Sequence, residues 1–489
     1  MLDERVGVFS TSYEHATEAS QHVQFRRALT LTFMTLVMPG SAQLVMGNRR
    51  VGRIALRVWL GCLLIGGFVL FLVLTSRSGL FSLLTNEQVL TVGRWLLTAG
   101  AIAWVALLLD AWRLGRPLQL ARKHRLWMTG VNGLLCLTTA GAMLFAAHLV
   151  AVQNGFIGAV FASDTVTGPE SGRYNVLLLG GDSGPDRTGL RPDSLTVASI
   201  DARTGRTVLV GLPRNLENVP FPKGSVMAKE FPRGFDCDGC ELNGVNTWAN
   251  DHATLFGPGS GSGSRAEKST AKPGIEATMG AVEEITGLDL NYYAMVNLRG
   301  FAKLVDAVGG VTVNVKERTA IGGIGAPISG WIPAGEHKLN GKQTLWYARS
   351  RVQNDDWSRM GRQKCVMNAM LHQLSPKTVL MNVEKIADSS KSLLTTDIPA
   401  KQLGTFMDLA LKAKTEKVST VSLVPPVIFT GNPNYDKVRR LVDKAITKAE
   451  GGAAASAGVL DARLKLPDTA QEKKDPRKAN QTEDLDALC

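Results

Sequence analysis

The chain has 489 residues, 45% of them hydrophobic, and a formal net charge of +12 at pH 7. That length supports two or three domains with a large core, which excludes a small disulfide-stapled fold. Charged residues make up 20%, too few for a mostly disordered chain. A charge of +12 suggests nucleic acid until its location is known. Up to Val152 there are 14 basic and 6 acidic residues, a net of +8, while the rest, more than twice as long, carries only +4. The excess sits in the hydrophobic part, so no nucleic-acid partner is expected.

Residues 1–27 are polar and charged and do not read as a cleavable signal peptide. Residues 28–152 form the expected membrane region. Ala28–Gly47 is uncharged but interrupted at Pro39-Gly40, which suggests a broken or re-entrant segment. Ile54–Thr75, Val89–Leu109 and Leu126–Val152 are each long enough to cross a hydrocarbon core, which takes about 20 helical residues. Arg57 and Arg94 lie close enough to helix ends to snorkel. The Arg-rich loops are Asn48–Arg53 and the stretch from Arg113 to Arg125. The positive-inside rule puts both in the cytoplasm and everything after about Val152 outside. A multi-pass protein of the plasma membrane, with the bilayer itself as a partner, is expected.

Residues 153–173 read as a linker, polar and small from Ser163 to Gly172, and residues 174–449 as an extracytoplasmic domain. Tyr174–Leu179, Leu195–Ile200, Thr207–Leu212, Tyr292–Val296, Val311–Val315 and Val421–Pro425 have strand character. Gly274–Ile285, Leu298–Val308, Trp357–Leu374 and Tyr435–Ala449 have helix character, with more helix after Leu374. The alternation predicts an α/β (α+β) domain, a mixed central sheet flanked by helices, behind an N-terminal bundle of three to four transmembrane helices. Phe256–Ser264 reads as a Gly/Ser-rich insertion. Residues 450–489 have few large apolar residues and read as a disordered tail.

Cys237 and Cys240 sit in FDCDGC, in an oxidising compartment, where a local disulfide is favoured. Cys365 could pair with either instead, and spacing leaves the connectivity open.

Three polar clusters stand out. Gly180-Gly181-Asp182-Ser183 follows the first strand, with Arg191 and Asp193 just before the next. Residues two apart share a face in extended chain, so the carboxylates Asp182 and Asp193 flank an arginine. Two carboxylates plus waters suit Mg2+ or Mn2+ held against a phosphate; an ordinary loop ion pair is the plainer alternative. Arg214 follows Leu212-Pro213 at the end of the third strand. The densest cluster runs from Tyr347 to Gln363, with Arg349 and Arg351 on one face if extended. Asp356, Arg359 and Gln363 fall on one stripe of a helix. Four arginines between 349 and 362, with no lysine before Lys364, suit a diphosphate, because guanidinium groups offer planar bidentate donors.

These clusters resemble the LytR–CpsA–Psr (LCP) family of cell-wall ligases. The resemblance rests on NVLLLGGDSG, LRPDSLTVASID, VGLPRN, GIEATMGAVEEITGLDLNYYAMVNLRGFAKLVDAVGGVTVNV and LNGKQTLWYARSRVQNDDWSRMGRQ. It covers Tyr174 to Met370, with a weaker continuation to Ala449. It implies metal-binding aspartates at Asp182 and Asp193. It implies diphosphate-binding arginines at Arg191, Arg214, Arg349, Arg351 and Arg359, and helix-borne partners at Asp356 and Gln363. The chain departs from the family pattern at Asn215, where an aspartate is usual, and at Glu241, where a lysine commonly precedes the Leu-Asn pair. Most members also have a single membrane helix.

The resemblance further implies an Mg2+-dependent phosphotransferase. Its donor would be a polyprenyl-diphosphate-linked glycopolymer and its acceptor a peptidoglycan hydroxyl. Energy would come from the carrier's anhydride, and Asp356 is the candidate base for the acceptor proton, with Arg214 steadying charge on the leaving oxygen. A lipid-diphosphate pyrophosphatase and a non-catalytic envelope sensor are the competing expectations.

Overall fold

The computed structural model describes residues 23–75, 83, 85–161, 163, 165–182, 191–257, 272–323, 327–352, 355–373, 394–421, 423–451 and 476–489, without 481 and 483. The expected insertion after Gly257, the helix after Gln373 and most of segments 1–27 and 450–475 lie outside these residues. The chain divides into two units, Met1–Asn154 and Gly155–Cys489.

In the first unit, α1 spans residues 23–37 and α2 is Ser41–Met46. The break falls at Pro39-Gly40: proline removes a helical donor, and Gly40 takes φ 93°, which a side chain would resist. Then follow α3 (Arg49–Thr75), α4 (Glu87–Leu114) and α5 (Arg122–Val160). Among the described residues, three helical stretches are long and apolar enough to cross a membrane: Arg49–Leu72, Glu87–Gln119 and Arg122–Val160. Gln43 of α2 is buried and donates to the Leu107 carbonyl (3.0 Å) and Asp110 (3.2 Å) of α4.

The second unit runs β1 (Arg173–Asp182), β2 (Arg191–Asp201), β3 (Thr207–Leu212), α6 (Val226–Glu230), α7 (Leu242–Asp251), α8 (Pro273–Thr286), β4 (Tyr292–Asn297) and α9 (Leu298–Ala307). It continues through β5 (Val311–Val315), β6 (Thr319–Ile321), β7 (Gly330–Ile332), β8 (Gly335–Leu339), α10 (Gly341–Arg349) and α11 (Asp356–Gln373). The last elements are β9 (Leu394–Thr396), α12 (Leu403–Ala413), β10 (Ser419–Val421), α13 (Tyr435–Ala449) and α14 (Leu485–Leu488). The central sheet has order β10-β3-β2-β1-β4-β9 and is mixed: β1/β4 and β3/β10 are parallel, the other pairs antiparallel.

Both faces of the sheet are apolar, as expected when helices cover both. Leu177, Leu179, Val197, Val208 and Val210 pack against Ile275, Met279 and Val282 of α8 and Val438 and Val442 of α13. The alternate residues Ala198 and Leu209 pack against Cys365 of α11, Val418 and Leu485 of α14. Val311–Val315, expected as part of the domain's sheet, instead pairs only with β8, and this ribbon packs on α9, α10 and α11.

Two expectations are corrected. Gly180 and Gly181 do not leave the strand; they continue β1 and pair with both β2 and β4. The tail is not free at its end. Cys365 is bonded to Cys489, and Cys237 to Cys240. Leu485 is fully buried, and its N–H donates to the Val418 carbonyl (2.9 Å). Leu485 and Cys489 supply the anchor that the composition of the whole segment concealed.

The Cys365–Cys489 bond closes a separation of 124 residues. Cross-links over long loops restrict the unfolded chain most, so Cys489→Ser should cost roughly 2–5 kcal/mol. Thermal unfolding of the full-length protein in detergent checks this; an unchanged Tm would show that the tail is held without it.

Candidate active site

The site lies where β1 and β2 end against the first turns of α11. Asp182 and Arg191 are register partners at the last rung of the β1–β2 pair. The register then skips one residue: Gly181 faces Pro192 and Gly180 faces Ser194, so Asp193 is the extra residue of a β-bulge. Bulges re-aim a side chain and free its backbone groups from the ladder. That ends the simple alternation expected to put Arg191 and Asp193 on one face.

Helix α11 delivers the opposing charges. Asp355 starts it, accepting from the Ser358 N–H (2.9 Å) and hydroxyl (2.7 Å). The helix then aligns Asp356, Arg359 and Gln363. Arg359 donates to the Asp193 carbonyl (2.8 Å) and to Asp356 Oδ2 (2.9 Å). Arg214, just beyond β3, pairs with Asp193 Oδ1 at 2.7 Å. Arg351 lies 3.6 Å from Asp356 Oδ1. The result is an alternating chain: Arg214, Asp193, Arg359, Asp356, Arg351.

The members differ in exposure. Arg359 has 4% of its side chain exposed, Arg214 25% and Arg351 37%. Burial pulls the Arg359 guanidinium below its usual pKa; neighbouring Asp356 opposes this and Arg214 reinforces it. Arg359 is therefore the strut of the chain, while Arg214 and Arg351 offer donor capacity to solvent. Within this chain, Arg359 Nε and Asp356 Oδ1 are buried without a hydrogen-bond partner, Asp356 Oδ1 keeping only its ion pair with Arg351. One is a donor and one an acceptor, and both belong to this chain.

Gln363 is held from two sides. It accepts from the Ser194 hydroxyl (3.1 Å) and donates to the Ala348 carbonyl (3.2 Å). The extended chain under which Arg349 and Arg351 would share a face is not formed at Arg349. Arg349 is the last residue of α10, a helix started by an Asn340/Gln343 capping box, and its guanidinium lies over the Trp346 ring at 5.5 Å. Of the expected residues, Asp193, Arg214, Arg351, Asp356 and Arg359 come together in one linked group, and Gln363 stands beside it. The backbones of Asp182 and Arg191 end the same strand pair.

Some working residues escaped the sequence reading. Arg362, counted in the arginine cluster, is 4% exposed and turned inward: it donates to the carbonyls of Tyr347 (2.7 Å) and Ser350. It pins the α10–α11 turn. Lys364 is 2% exposed and donates to the Asn480 carbonyl (3.3 Å). It fits because Gly211 of β3 has no side chain: a Cβ there would meet Lys364 Cε at 2.8 Å. The only sequence sign was a lysine directly after the site stripe, next to a buried-type Cys365.

The described residues form an α/β domain with a chain of alternating arginines and carboxylates at one sheet end, and three helices long and apolar enough to cross a membrane. The chain matches the family model "LytR_cpsA_psr family" over residues 158–448, and it belongs to that family. It is 26% identical over 298 residues to a "Polyisoprenyl-teichoic acid--peptidoglycan teichoic acid transferase TagU" of Oceanobacillus iheyensis, covering 58% of this chain and 81% of that one. It is 31% identical over 229 residues to "Cell wall biosynthesis protein LcpA" of Corynebacterium glutamicum, covering 44% of this chain and 42% of that one. Among solved structures, protein gbs0355 of Streptococcus agalactiae aligns with a TM-score of 0.42 at 21% identity, over 57% of this chain and 88% of that one.

Burial drives the Lys364 ammonium down to about 7. An unfolded lysine keeps its proton to about 10.4, so between about pH 7 and 10 the unfolded chain binds more protons and stability rises with pH. Wild-type stability relative to Lys364→Met should therefore improve across that range. Melting both proteins in detergent from pH 7 to 10 tests it; a constant difference would exclude a desolvated lysine.

Proposed function

We propose that the protein is a membrane-anchored phosphotransferase whose domain after about Val152 is extracytoplasmic. It moves a glycopolymer phosphate from a polyprenyl diphosphate carrier to a peptidoglycan hydroxyl. The observation that carries this reading is the alternating chain from Arg214 to Arg351, whose arginines outnumber its carboxylates and whose two ends are open to solvent. A diphosphate brings several negative oxygens, and partly exposed guanidinium forks are the groups that meet them. The printed names of the relatives, which concern teichoic acid transfer and cell-wall biosynthesis, agree with it.

In this reading the acceptor hydroxyl oxygen attacks the phosphorus that bears the glycan. The bond from that phosphorus to the bridging oxygen breaks, and its electron pair leaves on polyprenyl phosphate. Such transfer is mainly a matter of positioning and charge neutralisation. Arg214 and Arg351, joined by Arg349 and Arg191 in this reading, hold the phosphate oxygens and stabilise the charge that grows on the leaving oxygen. The acceptor's proton goes to Asp356 Oδ1, a buried oxygen without a hydrogen-bond partner of its own. Gln363, fixed by Ser194 and Ala348, orients the donor's phosphate from the helix side.

Asp182 and Asp193 would hold Mg2+ (or Mn2+). Strand-end carboxylates with phosphate oxygens and waters are the hard-oxygen donor set that this ion takes. Among the described residues no three His, Cys, Asp or Glu side chains converge, so substrate and water would complete the shell. The ion, when bound, would neutralise charge on the diphosphate.

The test incubates full-length protein in detergent with labelled lipid-linked glycan, Mg2+ and peptidoglycan. Label on peptidoglycan is the expected result. Free phosphorylated glycan alone would make the protein a pyrophosphatase, and no turnover a sensor. Arg349→Ala and Arg351→Ala should each lower transfer about a hundredfold or more with Tm unchanged, and wild-type turnover in either would sink the assignment. Asp182→Ala should raise the Mg2+ concentration needed for half-maximal rate. Asp356→Asn should lower kcat with KM little changed; a raised KM with kcat intact would make Asp356 a positioning residue only.

A further inference from the structure

We propose that Asn480 and Arg477, in the C-terminal segment, are positioning residues for Asp356, so that a stretch far from the site in sequence sets the site's geometry. The proposal rests on the phosphotransferase reading, in which Asp356 takes the acceptor's proton, and it deepens that reading. Both sequence neighbours of Asp356 are held from this segment. Arg477 lies 3.7 Å from Asp355 Oδ2. Asn480 Nδ2 donates to the Trp357 carbonyl at 2.7 Å, across a sequence separation of 123.

Asp356 opens α11. The first turn is where a helix frays, because its first N–H groups have no partner within the helix. Asp355 meets this need with one oxygen: Oδ1 accepts from the Ser358 N–H and hydroxyl, while Oδ2 faces Arg477. A backbone carbonyl has a second lone pair beyond the one its own helix uses, and Asn480 takes that of Trp357. The Asp356 backbone is therefore tied down on both sides.

The segment can act as a template because the sheet holds it. The Thr420 N–H of β10 donates to the Thr482 carbonyl (2.7 Å), and the Thr482 N–H donates to the Thr420 hydroxyl (3.0 Å). The Leu485 N–H donates to the Val418 carbonyl (2.9 Å). Asn480 is 1% exposed, and its own carbonyl accepts from Lys364 Nζ (3.3 Å). A donor on a segment bonded to β10 thus fixes the first turn of α11 relative to the sheet. The same sheet carries Asp193, whose carbonyl accepts from Arg359. Two independent ties, Arg359 in front and Asn480 behind, set where Asp356 stands against Asp193.

Anchoring alone does not call for these two residues. Cys489, Asp486 and Leu485 already hold the middle of α11 through Cys365 and Asn368. Arg477 and Asn480 add contacts at the one turn that bears the reacting carboxylate. A general base must stay within hydrogen-bond reach of the proton it takes. A displacement of about 1 Å, caused from outside the site, can cost about a hundredfold in rate.

The test uses full-length protein in detergent, with transfer of labelled lipid-linked glycan and amide hydrogen exchange as readouts. Asn480→Ala should lower kcat roughly tenfold with KM for the donor little changed. It should also speed exchange at the amides of Ser358 and Arg359, while residues 366–373 of the same helix exchange as in wild type. Faster exchange along all of α11 would mean a structural role only, and that result, or wild-type kcat, would overturn the proposal. Should Asn480→Ala not fold, Arg477→Gln decides, because the Arg477 side chain is 55% exposed. It should lower kcat about twofold at low salt and match wild type at high salt, where exposed ion pairs are screened. Wild-type kcat at low salt would then count against the proposal. First-turn exchange that responds to Asn480→Ala in a protein that transfers no glycan would retain the brace and remove the enzymatic reading.

Discussion

The site depends on one buried guanidinium. Arg359 must be desolvated to reach its position, and an unpaired buried charge would be prohibitive. Its partners come from two elements, the Asp193 carbonyl on β2 and the Asp356 carboxylate on its own helix. The first exists only because the bulge takes Asp193 out of the β1–β2 register. A defect in the sheet thus becomes the socket for the helix. Once Arg359 is seated, Asp193 and Asp356 are fixed, and they in turn hold Arg214 and Arg351 respectively.

Helix α11 serves two neighbours with two stripes. Asp356, Arg359 and Gln363 face the sheet end, where Gln363 meets Ser194. Lys364, Cys365 and Asn368 face the C-terminal segment: Lys364 meets Asn480, Cys365 is bonded to Cys489, and Asn368 donates to Asp486 (2.6 Å). Asn480 returns a hydrogen bond to the Trp357 carbonyl (2.7 Å). The last residues of the chain therefore brace the helix behind its charged face, and a shift of that brace would be felt at Arg359.

Much of this was legible in residue order. Thr207–Leu212, Val311–Val315 and Tyr435–Ala449 end where period-2 or period-3.6 patterns end, because burial of those faces decides the local structure. The stripe of Asp356, Arg359 and Gln363 was legible because helical spacing is fixed. The bulge at Asp193 was not, since a skipped register depends on the partner strand and not on the strand itself. Nor was the inward turn of Arg362, which sequence cannot separate from the arginines around it. It is set by the carbonyls of Tyr347 and Ser350 at the end of α10. The role of the tail was hidden for the same reason: its composition is that of a solvated segment, and its anchors, Leu485 and Cys489, act only through distant partners.

The distribution of charge makes better sense than its total. In the first 152 residues 13 of the 14 cations are arginines, in a region rich in apolar helices. At the sheet end, Arg214, Arg359 and Arg351 alternate with Asp193 and Asp356, so these three guanidinium groups are given a direction by carboxylates. Net charge does not report this arrangement, because the carboxylates that orient the arginines also cancel them in the sum.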